Sequence, residues 1–83
     1  MKYETLTNSA SGSYSNGNTI SLTFTFNNNI DSIRCIYYHN ANQPYIRLTS
    51  QSVADNVLTL TFTYTYTSTT TSYIFAMVTA AAY

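Results

Sequence analysis

The 83 residues are enough for one domain, 1–83, and only 7% of them are charged, with three basic residues offset by three acidic ones. A surface with so little net field has no means of drawing in a phosphate backbone, which argues against nucleic acid as a partner. The 45% hydrophobic and 16% aromatic content argues equally against a disordered chain. A domain this small removes only about 60% of its unfolded surface from water, and a single cysteine with no ligand cluster leaves burial against another chain as its extra source of stability.

Along the chain, Tyr3 to Thr7 is a first, weak strand. Thr19 to Phe26 alternates strictly, with Ile20, Leu22, Phe24 and Phe26 on one face and Thr19, Ser21, Thr23 and Thr25 on the other. Ile33 to Tyr38 is apolar on both faces, the pattern of a strand covered mid-sheet or by a neighbouring subunit. Tyr45 to Ser52 is a further weak strand. Val57 to Thr67 alternates again, Leu58, Leu60, Phe62, Tyr64 and Tyr66 against a ladder of threonines, and both alternating segments read as half-buried antiparallel strands. Tyr73 to Ala82 closes the chain as a second run apolar on both faces, its alanines continuing the strand. Polar turns separate the segments at Ser15 to Asn18, Asn27 to Asn29, His39 to Pro44, Ala54 to Asn56 and Ser68 to Ser72. Six short strands without a trustworthy helical period predict an all-β fold, a small antiparallel β-sandwich whose core includes Phe24, Leu60 and Phe62.

The residues that could carry chemistry are sparse. His39 is the only histidine, has no neighbouring carboxylate to orient it, and is expected in a loop. Asp31, Asp55 and the many serines do not assemble a nucleophile elbow, since glycine occurs only at positions 12 and 17. The three carboxylates are too scattered for a glycosidase pair, and Asn27 to Asn29 with Asp31 carries too little charge for a calcium loop. Neither a metal nor another cofactor is expected, and no catalytic residue is assigned. Cys35, alternating with Ile33 and Tyr37, is expected as a buried thiol acting as a small hydrophobe. The threonine ladder has the regular spacing that ice-binding arrays use, but threonine is also the polar residue best suited to strands, so a solvated outer face is the expected role. Tyr37, Tyr38 and Tyr45 flank the loop of His39, Asn40, Asn42 and Gln43. That mixture of aromatic faces and planar amides suits either a sugar ring or a protein interface.

The amino terminus lacks the apolar segment of a signal peptide, no run is long enough to span a bilayer, and none of the nine asparagines sits in a glycosylation acceptor. A surface of Thr, Ser and Asn in place of Lys and Glu suits a long-lived assembly exposed to the outside. A protein made in a bacterial cytoplasm and later exposed on a virion meets both conditions.

The segments ISLTFTFNNNIDSIRCIYY, VLTLTFTYT and SYIFAMVTA resemble the small β-sandwich modules of tailed bacteriophage virions, including the lectin-like domains at tail-fibre tips. The resemblance rests on Phe24 and Phe26, on Ile33 to Ile36, on the Asp55-Asn56 turn into Leu58 to Tyr66, and on Tyr73 to Val78. It departs in having no proline after Phe26 and no glycine at the end of the last strand. It implies a non-enzymatic virion structural protein, a capsid decoration or fibre-tip component displayed on the particle; a start at Met1 and a length of 83 residues favour a free-standing one. Its expected partners are further copies of itself, a trimer by analogy with fibres, or the major coat protein. The second reading is a carbohydrate-binding module that holds a glycan through Tyr37, Tyr38, His39 and Tyr45.

Overall fold

The computed structural model of the chain describes residues 2–40 and 45–82. Six strands form it: β1 (Lys2–Tyr14), β2 (Thr19–Thr25), β3 (Ile30–Asn40), β4 (Ile46–Ala54), β5 (Val57–Tyr64) and β6 (Thr70–Ala82). They make two three-stranded antiparallel sheets, ordered β1-β6-β3 and β2-β5-β4. The result is a narrow sandwich with extents of 44 × 19 × 16 Å.

The alternation read from the sequence is what divides inside from outside. On β2, Ile20, Leu22 and Phe24 are buried while Thr19, Ser21, Thr23 and Thr25 are exposed; on β5, Leu58, Leu60, Phe62 and Tyr64 are fully buried. The facing sheet answers with Ile74, Ala76, Val78, Ala80 and Ala82 of β6. Small residues on β6 facing phenylalanines on β2 and β5 let the two inner faces interdigitate.

The chain changes sheet at nearly every step, and only β4 and β5 are neighbours in both sequence and sheet. Their hairpin turns on Asp55-Asn56, with Asp55 in the left-handed region at φ 56°, which aspartate tolerates better than most residues. The crossing from β1 to β2 turns at Gly17, whose φ of +88° requires glycine, and is held by Asn18 N–H to Ser15 O at 2.9 Å and Gly17 N–H to Tyr64 O at 2.8 Å. Side chains also clasp the two sheets along their edges. Asn8 Nδ2 donates to Thr23 O at 2.8 Å, Asn27 N–H donates to Glu4 Oε1 at 3.0 Å, and on the opposite side Leu48 N–H lies 3.5 Å from the Tyr38 hydroxyl.

Several elements differ from the sequence expectation. β1 runs from Lys2 to Tyr14, well beyond Tyr3 to Thr7, because β6 offers a partner along its whole length, from Ala82 opposite Lys2 to Thr70 opposite Tyr14. β5 ends at Tyr64, before the expected Thr67, where Thr65 N–H turns to Tyr45 O at 2.6 Å. β6 is mid-sheet as its two apolar faces require, whereas β3, with the same pattern, is an edge strand. The β3 register slips against β6 between Ile30 and Ser32 and again between Ile33 and Cys35. The second slip is a bulge that breaks the alternation, so Ile33 and Ile36 turn inward while Arg34, Cys35 and Tyr37 turn out. Cys35 is therefore exposed, not buried.

Phe62 has no exposed surface and lies 5.0 Å, centroid to centroid, from Tyr38 of the other sheet. Phe62→Ala is expected to cost about 3 to 5 kcal/mol, a large part of the stability of so small a domain. Urea titration of the two proteins checks it through a lowered midpoint at unchanged slope.

Candidate functional site

The two outer faces of the sandwich have opposite character. Over β2-β5-β4 lies a lawn of hydroxyls: Thr19, Ser21, Thr23 and Thr25 on β2, with Thr59, Thr61 and Thr63 on β5. They bond among themselves, Ser21 to Thr61 at 3.1 Å and Thr49 to Thr63 at 3.1 Å. Such a face is satisfied in water and offers a partner no anchor.

The outer face of β1-β6-β3 carries instead a row of large side chains. Tyr73, Phe75 and Met77 follow one another at alternate positions of β6, with His39 opposite Phe75 and Tyr37 opposite Met77 on β3. The rings form one cluster: His39 and Phe75 centroids are 5.3 Å apart, Tyr37 and His39 5.8 Å, and Tyr37 and Phe75 6.5 Å. Tyr37 keeps 51% of its surface exposed, Tyr73 41% and Met77 37%. Along the same face Arg34 lies 6.0 Å from the ring of Tyr3, which is 62% exposed, a cation-π contact that gives the patch one charged corner.

The four residues expected to share a site are separated by the fold. Tyr37 and His39 stand on this outer face, and His39 lies within β3, not in a loop. Tyr38, one position between them, points inward onto Phe62 as strand alternation demands. Tyr45 lies at one end of the sandwich, stacked on Tyr66 at 3.9 Å and 6.3 Å from Tyr64. Asn42 and Gln43 of the proposed amide loop fall outside the described residues, while Asn40 is buried and donates through Nδ2 to Ser72 Oγ. Tyr73, Phe75 and Met77 complete the patch; the sequence does not mark them, because an apolar run on two faces does not say which face is covered.

Tyr14, Tyr45, Tyr64 and Tyr66 make a second aromatic group, inside the fold at the end where β1 and β5 finish. Burial pushes the phenols of Tyr64 and Tyr45 above the ordinary 10.0, with the negative charge that Tyr66 acquires on ionising as the next cause. Among the described residues the Tyr64 hydroxyl is buried without a hydrogen-bond partner. Among the described residues no three His, Cys, Asp or Glu side chains come together as a metal site.

No family model matches the chain, and neither a curated protein nor a solved structure matches it.

The tyrosine cluster generates a prediction with a defined sign. The folded state holds these phenolic protons more tightly than the unfolded chain does, so the associated stability is complete below the ordinary tyrosine value. It is lost as pH rises through the raised folded values. Tyr64→Phe removes the unpartnered hydroxyl and one of the raised groups together, and is expected to raise the melting temperature and flatten its alkaline decline. Thermal melts followed by circular dichroism from about pH 8 to about pH 11 test both.

Proposed function

We propose that the chain is a non-enzymatic assembly protein of the tailed-phage virion kind, displayed on a particle and held there by the outer face of the β1-β6-β3 sheet. The observation that carries this reading is the inequality of the two outer faces. One is a self-satisfied hydroxyl surface, and the other exposes Tyr37, Tyr73 and Met77 around a cluster of rings. Contiguous exposed aromatic and methionine side chains are what interface cores are made of, and the low charge around them removes the desolvation cost that charged neighbours impose. The occupant of the patch in this reading is a larger coat protein, with the threonine face left toward water. The phage assignment itself rests on the sequence resemblance, and virion localisation follows from it.

Sugar binding remains the alternative, confined to Tyr37, His39 and Phe75, since Tyr38 and Tyr45 are turned away from them.

The composition of purified particles is the test. The chain is expected at a fixed ratio to the major coat protein, and Tyr37→Ser combined with Tyr73→Ser is expected to fold normally yet to drop at least about tenfold in particle occupancy, as the loss of two interface anchors requires. Particles without the chain, or with the double variant at full occupancy, overturn the proposal. Glycan-array binding that Tyr37→Ala abolishes and Tyr45→Ala spares would replace it with the lectin reading.

A further inference from the structure

A sandwich of two three-stranded sheets has four edges, and three of them are blunted. β2 is only 7 residues long. β3 is bulged twice and carries Asp31 and Arg34; β4 is bulged between Leu48 and Ser50 and carries Arg47. β1 is protected only at its start, by Lys2 and Glu4. It runs for 13 residues in unbroken register with β6, contains no proline, and is free of charge from Thr5 to Tyr14. Among the described residues its only ladder is with β6, and along its other side a full row of backbone N–H and C=O groups has no strand partner there. The Ser9 N–H falls back on the side chain of its own neighbour, donating to Asn8 Oδ1 at 2.8 Å.

We infer that the β1 edge pairs with β1 of a second copy, antiparallel about a two-fold axis, joining two three-stranded sheets into one continuous sheet. This rests on the assembly reading above and specifies how copies meet. An antiparallel strand pairing with itself is complementary without further design. The register that engages the whole strand places Asn8 opposite Asn8 of the partner subunit, with Thr7 opposite the partner's Ser9 and Thr5 opposite the partner's Ser11. Leu6 then lies opposite the partner's Ala10, and Lys2 and Glu4 lie opposite the partner's Tyr14 and Gly12, so that no like charges meet. The unit is a closed pair. A trimer built by strand addition would need two different open edges, and β1 supplies one.

Sedimentation of two charge-bearing variants tests the register. Thr7 and Ser9 are exposed on the outer face, so Thr7→Lys with Ser9→Lys leaves the core untouched and sets like charges opposite each other across the axis. The unaltered chain is expected to sediment as a dimer and the lysine variant as a monomer, with self-affinity weakened about tenfold or more. Mixing it with the Thr7→Glu, Ser9→Glu variant is expected to restore a dimer containing one chain of each. If the lysine variant associates as well as the unaltered chain, the β1 pairing is wrong; particle occupancy of the unaltered chain then shows whether the assembly reading stands without it. A monomeric unaltered chain at high concentration overturns the pairing, and its simultaneous absence from particles overturns the assembly reading too. Should either variant fail to fold, amide exchange of the unaltered chain decides. Protection from Thr5 to Ser13 that rises with protein concentration supports the pairing, and protection independent of concentration overturns it.

Discussion

Everything in this domain depends on the contact between two central strands. β5 sets Leu58, Leu60, Phe62 and Tyr64 into the interior without exposed surface, and β6 meets them with Ile74, Ala76, Val78 and Ala80. With no disulfide within the chain, that apolar burial has to outweigh the conformational entropy of the whole chain. The outer strands are positioned by these two. Each of the remaining strands hydrogen-bonds to β5 or β6, and the clasps from Asn8, Glu4 and Tyr38 only tune how closely the edges approach.

The same arrangement sorts the polar residues. A central strand must be apolar on the face that meets the other sheet, but its outer face is unconstrained by the core. β5 fills that face with threonine and β6 fills it with Tyr73, Phe75 and Met77. Core packing gives no reason for the second choice. Those side chains lie beside Tyr37 and His39 and make a single patch rather than scattered exposures.

Much of the fold was legible in the residues. β2 and β5 announce themselves by strict alternation, and their inner rows are the core that the pattern predicts. What periodicity could not provide was the position of strands that lack it. β3 and β6 look alike as apolar runs, yet one is an edge and the other a centre, a distinction made by long-range pairing and by a bulge that no local signal marks at Arg34. The same bulge reversed the expected burial of Cys35. β5 carries no charged residue and needs none as a guard. It is paired on both sides, and the least guarded strand is β1, whose small polar residues looked like the weakest strand of the set. The candidate site divided because strand alternation separates Tyr37 from Tyr38, while Tyr45 belongs to a different sheet end.

The pairing of β1 with β6 also constrains how the molecule comes into being. Lys2 lies beside Ala82, so the strand that leaves the ribosome first must wait for the last of the six before it has any ladder partner. β3 waits for the same strand, because β6 separates the two. The β2-β5-β4 sheet, by contrast, has all its strands as soon as Tyr64 has emerged. Closing β1 onto β6 therefore costs more loop entropy than any pairing within the β2-β5-β4 sheet, and it sets the pace at which the sandwich can be completed.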